Sequence, residues 1–217
     1  SADVNHFPLI RAAAKTGMCI QLDTGNSTLE EIGAAVDIIR SQGNERIIIH
    51  QCPSGYPARL ESINLRIIQT LKDRFPYPVA FSDHSPGWEM DIAAVAMGAN
   101  LIEKTITLDR TIRSVEHIMS LEPSDMKEFI QSVRKVEVAM GVAERVMTKE
   151  EDEKRRAVRR SVFLTEAVSR GKKLGDAGVE FKRPGTGLGP DEYEAMQDAV
   201  FADDLPQGRM LTKEDLS

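Results

Sequence analysis

The feature that most constrains the fold is a regular alternation of short apolar runs with segments that carry apolar residues at helical spacing. The runs occupy residues 19–22, 47–49, 78–81 and 101–102. Repeated strand–helix units predict an α/β fold with a parallel sheet, and four units make half of an eight-stranded barrel. An open doubly wound sheet is the alternative, but no glycine-rich phosphate loop follows the first strand.

Two domains are predicted along the chain. Residues 1–148 hold the four units, a short preceding helix and a last helix that ends near Gly141. Residues 149–157 are almost continuously charged and suggest an exposed linker, although a solvated helix tail fits equally well. Residues 158–217 contain a weak repeat, in which 169–174 resembles 206–211, and their glycine-punctuated segments predict a small domain of short strands and turns.

Composition excludes several classes of protein. The net charge of −6 argues against nucleic-acid binding, and no apolar stretch approaches the length of a membrane span. Cys19 and Cys52 lie in or beside strand-like runs, which favours buried free thiols and a cytoplasmic enzyme. The chain starts at Ser1 without an initiator Met, so a fragment or a processed product is expected.

Polar, proton-active residues follow each predicted strand. These strand ends are Asp23-Thr24, His50-Gln51-Cys52, Ser82-Asp83-His84 and Glu103-Lys104-Thr105. In a barrel the carboxyl ends of the strands form one rim, where catalytic residues collect. Hydroxyl and ammonium groups there suit an anionic substrate, and His84 suits a metal ligand or a general base.

Eight short motifs along the chain, in this order, resemble those of the sialic acid synthase (N-acetylneuraminate synthase) family. They are Ser1-Ala2-Asp3 before Asn5-His6-Phe7-Pro8-Leu9, Asp23-Thr24-Gly25, Tyr56-Pro57, Ser82-Asp83-His84, Ile102-Glu103-Lys104, Thr107-Leu108-Asp109, Ser120-Leu121-Glu122-Pro123 and Lys182-Arg183-Pro184-Gly185. The resemblance implies the C-terminal half of a (β/α)8 TIM barrel followed by a small antifreeze-like (β-clip) domain. It also implies a domain-swapped homodimer that condenses phosphoenolpyruvate with an N-acetylmannosamine-type sugar to give a nine-carbon 2-keto acid and phosphate.

The resemblance assigns five residues to the binding of phosphoenolpyruvate or of a metal. Ser1 and Ser82 are expected to hydrogen-bond the phosphate or carboxylate of phosphoenolpyruvate, and Ser54 stands near a family Asn that does likewise. His84 is expected to ligate a divalent metal, Mn²⁺ or Mg²⁺, that polarises the sugar aldehyde. Lys104 is expected beside the metal as a catalytic residue, with a structural ion pair to a strand-end carboxylate as the alternative.

Three further residues are assigned to the sugar substrate. Tyr56 is expected to line the sugar site. Glu116 stands where the family has an Asp that contacts the sugar. Arg183, on the small domain, is expected to reach the sugar N-acetyl group in the other subunit.

The chain also departs from the family pattern. Thr105 replaces the family His expected as the second metal ligand, and a neutral hydroxyl is a poor ligand for such a metal. Asp23 replaces a Ser, and Gln51 stands where His is common. We therefore expect either a metal held differently, with His117 or Asp23 assisting, or a divergent enzyme with altered substrate or weakened metal dependence.

Two functional hypotheses follow. The first is a synthase of sialic, legionaminic or pseudaminic type, whose particular acylamino sugar the residues do not identify. The second is a non-catalytic sugar- or partner-binding relative that has lost its metal site. Because the family draws its catalytic Glu from strands that would precede Ser1, this chain alone is expected to be inactive.

Overall fold

The computed structural model describes all of residues 1–217 and divides them into two compact units, Ser1–Val142 and Ala143–Ser217. The segment 149–157, predicted to be an exposed linker, is helical and has no buried residue. None of the helices is both long enough and apolar enough to cross a membrane.

The first unit contains the four strand–helix repeats that the sequence predicts. Its elements are α1 (Phe7–Ala14), β1 (Ile20–Asp23), α2 (Leu29–Arg40), β2 (Ile47–Gln51), α3 (Leu60–Ile63), α4 (Ile67–Arg74), β3 (Val79–Asp83), α5 (Glu89–Ala96), β4 (Leu101–Lys104) and α6 (Pro123–Met140). The strands pair in parallel in the order β1-β2-β3-β4. The α/β class with a parallel sheet is therefore confirmed, because each helix returns the chain to start the next strand alongside the last.

The sheet has one apolar face and one polar face, because successive side chains on a strand point to opposite sides. Leu22, Ile49 and Phe81 lie on the face that packs against the helices, where they belong to the main hydrophobic core. Asp23 is the register partner of His50, and Ser82 is the register partner of Glu103. The polar residues Asp23, His50, Ser82 and Glu103 therefore share the face that is turned away from that core.

The second unit is built from short strands and turns. Its elements are α7 (Lys149–Val158), β5 (Ser161–Leu164), β6 (Val179–Lys182) and α8 (Pro190–Ala195). β5 and β6 pair antiparallel, and a separate core gathers around Leu164, Leu174 and Phe201. The predicted internal repeat corresponds to two alike turns, since Gly171 and Gly208 both have φ of +81°. Only glycine adopts that conformation at little cost, which accounts for the repeated glycine.

Gly185, in the Lys182-Arg183-Pro184-Gly185 motif, lies against the end of α7. Its N–H donates to the Arg156 carbonyl oxygen at 2.8 Å. A Cβ at this position would stand 2.5 Å from Arg159 Cβ and 2.9 Å from the Arg159 carbonyl carbon. We expect Gly185→Ala to cost about 1–3 kcal/mol of unfolding free energy, because the overlap forces α7 away. Calorimetric unfolding tests this, with Gly33→Ala, which meets no atom within 4 Å, as the control; equal stability of the two variants would contradict it.

Candidate functional site

A cleft of about 370 Å³ lies at the carboxyl ends of the four parallel strands. Five residues predicted to bind substrate or metal line it, namely Ser1, Ser54, Tyr56, Ser82 and His84. Asp23, Cys52 and Glu103 complete its polar wall. Strand ends that are far apart in sequence thus meet at one rim, as parallel pairing requires.

His84 is held in a defined orientation on this rim. Its Nδ1 lies 3.1 Å from the Pro53 carbonyl oxygen. Because a carbonyl only accepts, Nδ1 must carry the hydrogen, and Nε2 of the neutral ring keeps its lone pair. The Tyr56 ring stacks on the imidazole with centroids 4.3 Å apart. A histidine fixed in this way can act as a ligand or as a proton acceptor through Nε2.

Ser1 and Ser54 place hydroxyl groups on the wall beside β1 and β2. Ser54 Oγ donates to Asn26 Oδ1 at 2.6 Å, and Ser1 Oγ lies 3.7 Å from Cys52 Sγ. Burial is the main cause that raises the pKa of the Cys52 thiol, so it stays neutral and is a poor nucleophile near neutral pH. Both cysteines are free thiols; Cys52 is buried as predicted, whereas Cys19 is exposed because it precedes the first residue of β1.

Three side chains of the polar face form a group that could hold a cation. The ligand atoms of Asp23, His50 and Glu103 all lie within 4.8 Å of one another. His50 Nδ1 is 3.6 Å from Asp23 Oδ1 and 3.4 Å from Glu103 Oε2, while its Nε2 lies 3.0 Å from Gln21 Oε1. If Nε2 donates to the Gln21 oxygen, the lone pair of Nδ1 faces the two carboxylates.

This donor set fits a divalent metal. His50 Nδ1 and Asp23 Oδ1 are buried and have no hydrogen-bond partner. A cation between them would satisfy both atoms and relieve the repulsion between the two carboxylates. One imidazole with two carboxylates suits metals such as Mn²⁺, and Gln21 would orient the imidazole from behind. Ser82 Oγ donates to Glu103 Oε1 at 3.1 Å and so steadies the third side chain of the group.

Lys104 lies on the opposite face of the sheet, away from the cleft. Its ammonium group donates to Asp83 Oδ2 and to the Ser85 carbonyl oxygen, and it stands 3.6 Å from Asp91 Oδ2 on α5. The side chains of Lys104 and both aspartates are at most 3% exposed. Of the two interpretations of Lys104, the ion pair is the one that forms; its catalytic role stays a prediction and has no contact in the cleft.

Burial is the main cause that raises the pKa of Asp91 to about 8, and the neighbouring Asp83 carboxylate raises it further while Lys104 opposes the shift. Near neutral pH the Asp91 carboxyl group is therefore mostly protonated, which lowers the cost of burying it beside Asp83.

The remaining predicted residues lie outside the cleft wall. Glu116 is exposed, and it contributes, after burial and Cys52, to raising the pKa of Tyr56. Arg183 belongs to the second unit, where its Nε donates to the Val158 carbonyl oxygen at 3.0 Å. Thr105 Oγ1 is buried without a hydrogen-bond partner. His117 Nδ1 lies 2.6 Å from Thr107 Oγ1 and takes no part in the Asp23–His50–Glu103 group.

Comparison with known proteins places this geometry in a family. The NeuB family profile matches residues 1–145. The chain belongs to the NeuB family. The sialic acid synthase family predicted from the motifs is thereby confirmed.

Individual NeuB-family relatives agree with this assignment. The N,N'-diacetyllegionaminic acid synthase of Legionella pneumophila is 32% identical and aligns over 97% of this chain and 60% of its own length. A pseudaminic acid synthase of Campylobacter jejuni is 32% identical over 96% of this chain and 62% of its own length. The crystal structure of N-acetylneuraminic acid synthetase from Leptospira borgpetersenii superposes with a TM-score of 0.66 at 33% identity, covering 70% of this chain and 53% of that one. The chain thus spans about 60% of the length of the two curated relatives.

His50 and Glu103 are predicted at strand ends, but the sequence alone does not combine them with Asp23 as a metal-binding group. What is missing is the register of the strands, which decides the face of the sheet on which each side chain lies. Asp23 and His50 are register partners on β1 and β2, and Glu103 on β4 points to the same face. Once the register is known, the three side chains must share a face.

Proposed function

We propose that this chain is part of a synthase that condenses phosphoenolpyruvate with an N-acetylmannosamine-type acylamino sugar. The products would be a nine-carbon 2-keto acid of the sialic type and phosphate. The observation that carries the proposal is the convergence of Ser1, Ser54, Ser82, Tyr56 and His84 on one cleft in a member of the NeuB family.

The proposal includes the architecture that the activity needs. Residues 1–148 would be the C-terminal half of a (β/α)8 barrel, 149–157 a linker and 158–217 an antifreeze-like domain. The protein would work in the cytoplasm as a domain-swapped homodimer in which Arg183 serves the partner's sugar site. Support comes from the parallel order β1-β2-β3-β4 and from the independent core of the second unit.

In the reaction, C3 of phosphoenolpyruvate bonds to the aldehyde carbon of the sugar, water adds at C2, and phosphate leaves. The hydroxyls of Ser1, Ser54 and Ser82 would turn from their present acceptors, Cys52, Asn26 and Glu103, to donate to the phosphate or carboxylate oxygens of phosphoenolpyruvate. Tyr56 would line the sugar site and hold His84 by stacking. Glu116 would contact a sugar hydroxyl.

The protein side of a metal site is also proposed, for Mn²⁺ or Mg²⁺. Asp23, His50 and Glu103 would hold the ion, because their ligand atoms converge and two of them lack a hydrogen-bond partner. His84, on the same cleft wall, remains a predicted further ligand through Nε2. A bound divalent ion would supply Lewis acidity toward the sugar aldehyde. This set does not need a histidine at the position of Thr105.

Phosphate release tests the proposed reaction. Full-length protein should release phosphate from phosphoenolpyruvate in the presence of Mn²⁺ and one member of a panel of acylamino sugars. Ser82→Ala should raise KM for phosphoenolpyruvate about 10-fold, the effect of losing one hydrogen bond to a charged group. Ser62→Ala, whose hydroxyl donates to the exposed Arg59 carbonyl, is the matched control. No release with any sugar or metal would favour the alternative, a non-catalytic sugar- or partner-binding relative.

A further inference from the structure

The buried cluster behind the cleft joins three separate elements through one side chain. Lys104 extends from the end of β4 to Asp83 at the end of β3, to the Ser85 carbonyl just beyond that end, and toward Asp91 on α5. All three ionisable side chains are shielded from solvent. Nothing in the reaction proposed above uses these groups.

The cluster also fixes the backbone on either side of His84. Asp83 Oδ1 accepts the Ser85 N–H at 2.9 Å and the Ser85 hydroxyl at 2.7 Å. Lys104 holds both the other oxygen of Asp83 and the carbonyl of Ser85. Residues 83 and 85 are thereby anchored from behind, and residue 84 between them is left with its side chain on the cleft.

The residues next to the cluster in sequence are those that face the cleft. Ser82 precedes Asp83, His84 follows it, and Glu103 precedes Lys104. Since neighbouring side chains on a strand alternate between faces, clamping one set behind the sheet sets the spacing of the other set in front. Supports of this kind behind a site commonly control ligand affinity by about 10- to 100-fold.

We propose that Lys104 is a positioning residue. Its hydrogen bonds to Asp83 and to the Ser85 carbonyl, with Asp91 3.6 Å away, fix the ends of β3 and β4 and thereby set the spacing of Ser82, His84 and Glu103 on the cleft. The expected effect on Mn²⁺ affinity rests on the proposed function. The expected loosening of the backbone at residues 82–85 does not. This role differs from the direct catalytic role that the motif suggested.

Two measurements on Lys104→Met distinguish a local positioning role of Lys104 from a general contribution to the stability of the fold. Hydrogen–deuterium exchange should quicken about 10-fold or more at residues 82–85 while β1 and β2 stay protected. Mn²⁺ affinity, measured by electron paramagnetic resonance well below the melting temperature, should fall about 10-fold. Lys72→Met is the matched control, because Lys72 also donates to a backbone carbonyl, that of Gly98, but away from the cleft. A Lys104→Met protein with unchanged local exchange would overturn the proposal.

A second variant keeps the test decisive if loss of the ammonium alone disturbs folding. Lys104→Met with Asp83→Asn removes one buried charge of each sign and leaves an amide oxygen on β3 to accept from Ser85. This double variant should fold like the wild type yet keep the fast exchange at residues 82–85. Recovery of both slow exchange and Mn²⁺ affinity would show that only charge balance matters and would refute positioning. If the wild type itself binds no Mn²⁺, the metal part of the proposed function fails, and the exchange measurement still decides the role of Lys104.

Discussion

Replacing His50 with alanine should weaken Mn²⁺ binding about 100-fold or more, which is the largest loss expected in the Asp23–His50–Glu103 group. The imidazole stands between two carboxylates, 3.4 and 3.6 Å away, and its Nδ1 has no hydrogen-bond partner. Without it Asp23 and Glu103 are left as two anions with no neutral donor between them. Titration of Mn²⁺ followed by electron paramagnetic resonance measures the effect directly.

Three companion variants make the metal test specific. Asp23→Asn preserves shape and should also weaken binding, which guards against a folding defect from the loss of the fully buried His50 side chain. His117→Ala should stay within about twofold of the wild type, because His117 bonds to Thr107 outside the group. A loss in His84→Ala as large as that in His50→Ala would add His84 to the ligand set. An unchanged titration in both His50→Ala and Asp23→Asn would rule out this group as the Mn²⁺ site.

Asp91→Asn should remove most of the pH dependence of the stability of the first unit. Burial raises the pKa of Asp91 from 3.8 to about 8, so the folded state holds a proton that the unfolded chain has released. A raised folded-state pKa gives stability that is complete below about pH 4 and is lost as pH rises toward 8. The loss should be on the order of 5 kcal/mol in the wild type, because the pKa rises from 3.8 to about 8. In Asp91→Asn the group cannot ionise, so the variant should be the more stable protein at about pH 9 and roughly equal at about pH 4.

Trp88, the single tryptophan of the chain, gives a suitable probe for this measurement. It stands at the start of α5, the helix that carries Asp91, and lies against Phe129 with ring centroids 6.3 Å apart. Urea unfolding followed by its fluorescence at several pH values yields the slope of free energy against pH. Asp73→Asn, which removes an exposed carboxylate, controls for the loss of one negative charge. Parallel curves for the wild type and Asp91→Asn would show that Asp91 does not carry the slope.

The fold of the first unit could be predicted because its signals are local. Short runs of β-branched residues such as Ile47–Ile49, flanked by segments of helical spacing, favour buried parallel strands, and the right-handed crossover rule then orders them. The fold of the second unit is harder to predict, since its core depends on contacts between distant segments such as the bridge between Val168 and Leu205. Even so, the sequence repeat around Gly171 and Gly208 correctly indicates two similar turns.

The site was predictable to the level of strand ends and no further. Ser82 and His84 could be placed on the cleft because they end an apolar run and match family motifs. Which neighbour faces the cleft depends on register, which a single sequence does not contain. Glu103 and Lys104 illustrate this, since the family motif assigns a role to Lys104, with an ion pair as the alternative, while Glu103 is the one that lines the cleft.

That adjacency of Glu103 and Lys104 has an evolutionary consequence. The two side chains serve opposite faces, one meeting the cleft and the other the dry cluster behind it. A deletion or insertion of one residue in β4 would exchange them, placing a carboxylate beside Asp83 and Asp91 and an ammonium beside His50. Both charge arrangements would be inverted by a single change in length. Homologues of this protein should therefore tolerate substitutions in β4 far more readily than an insertion or a deletion.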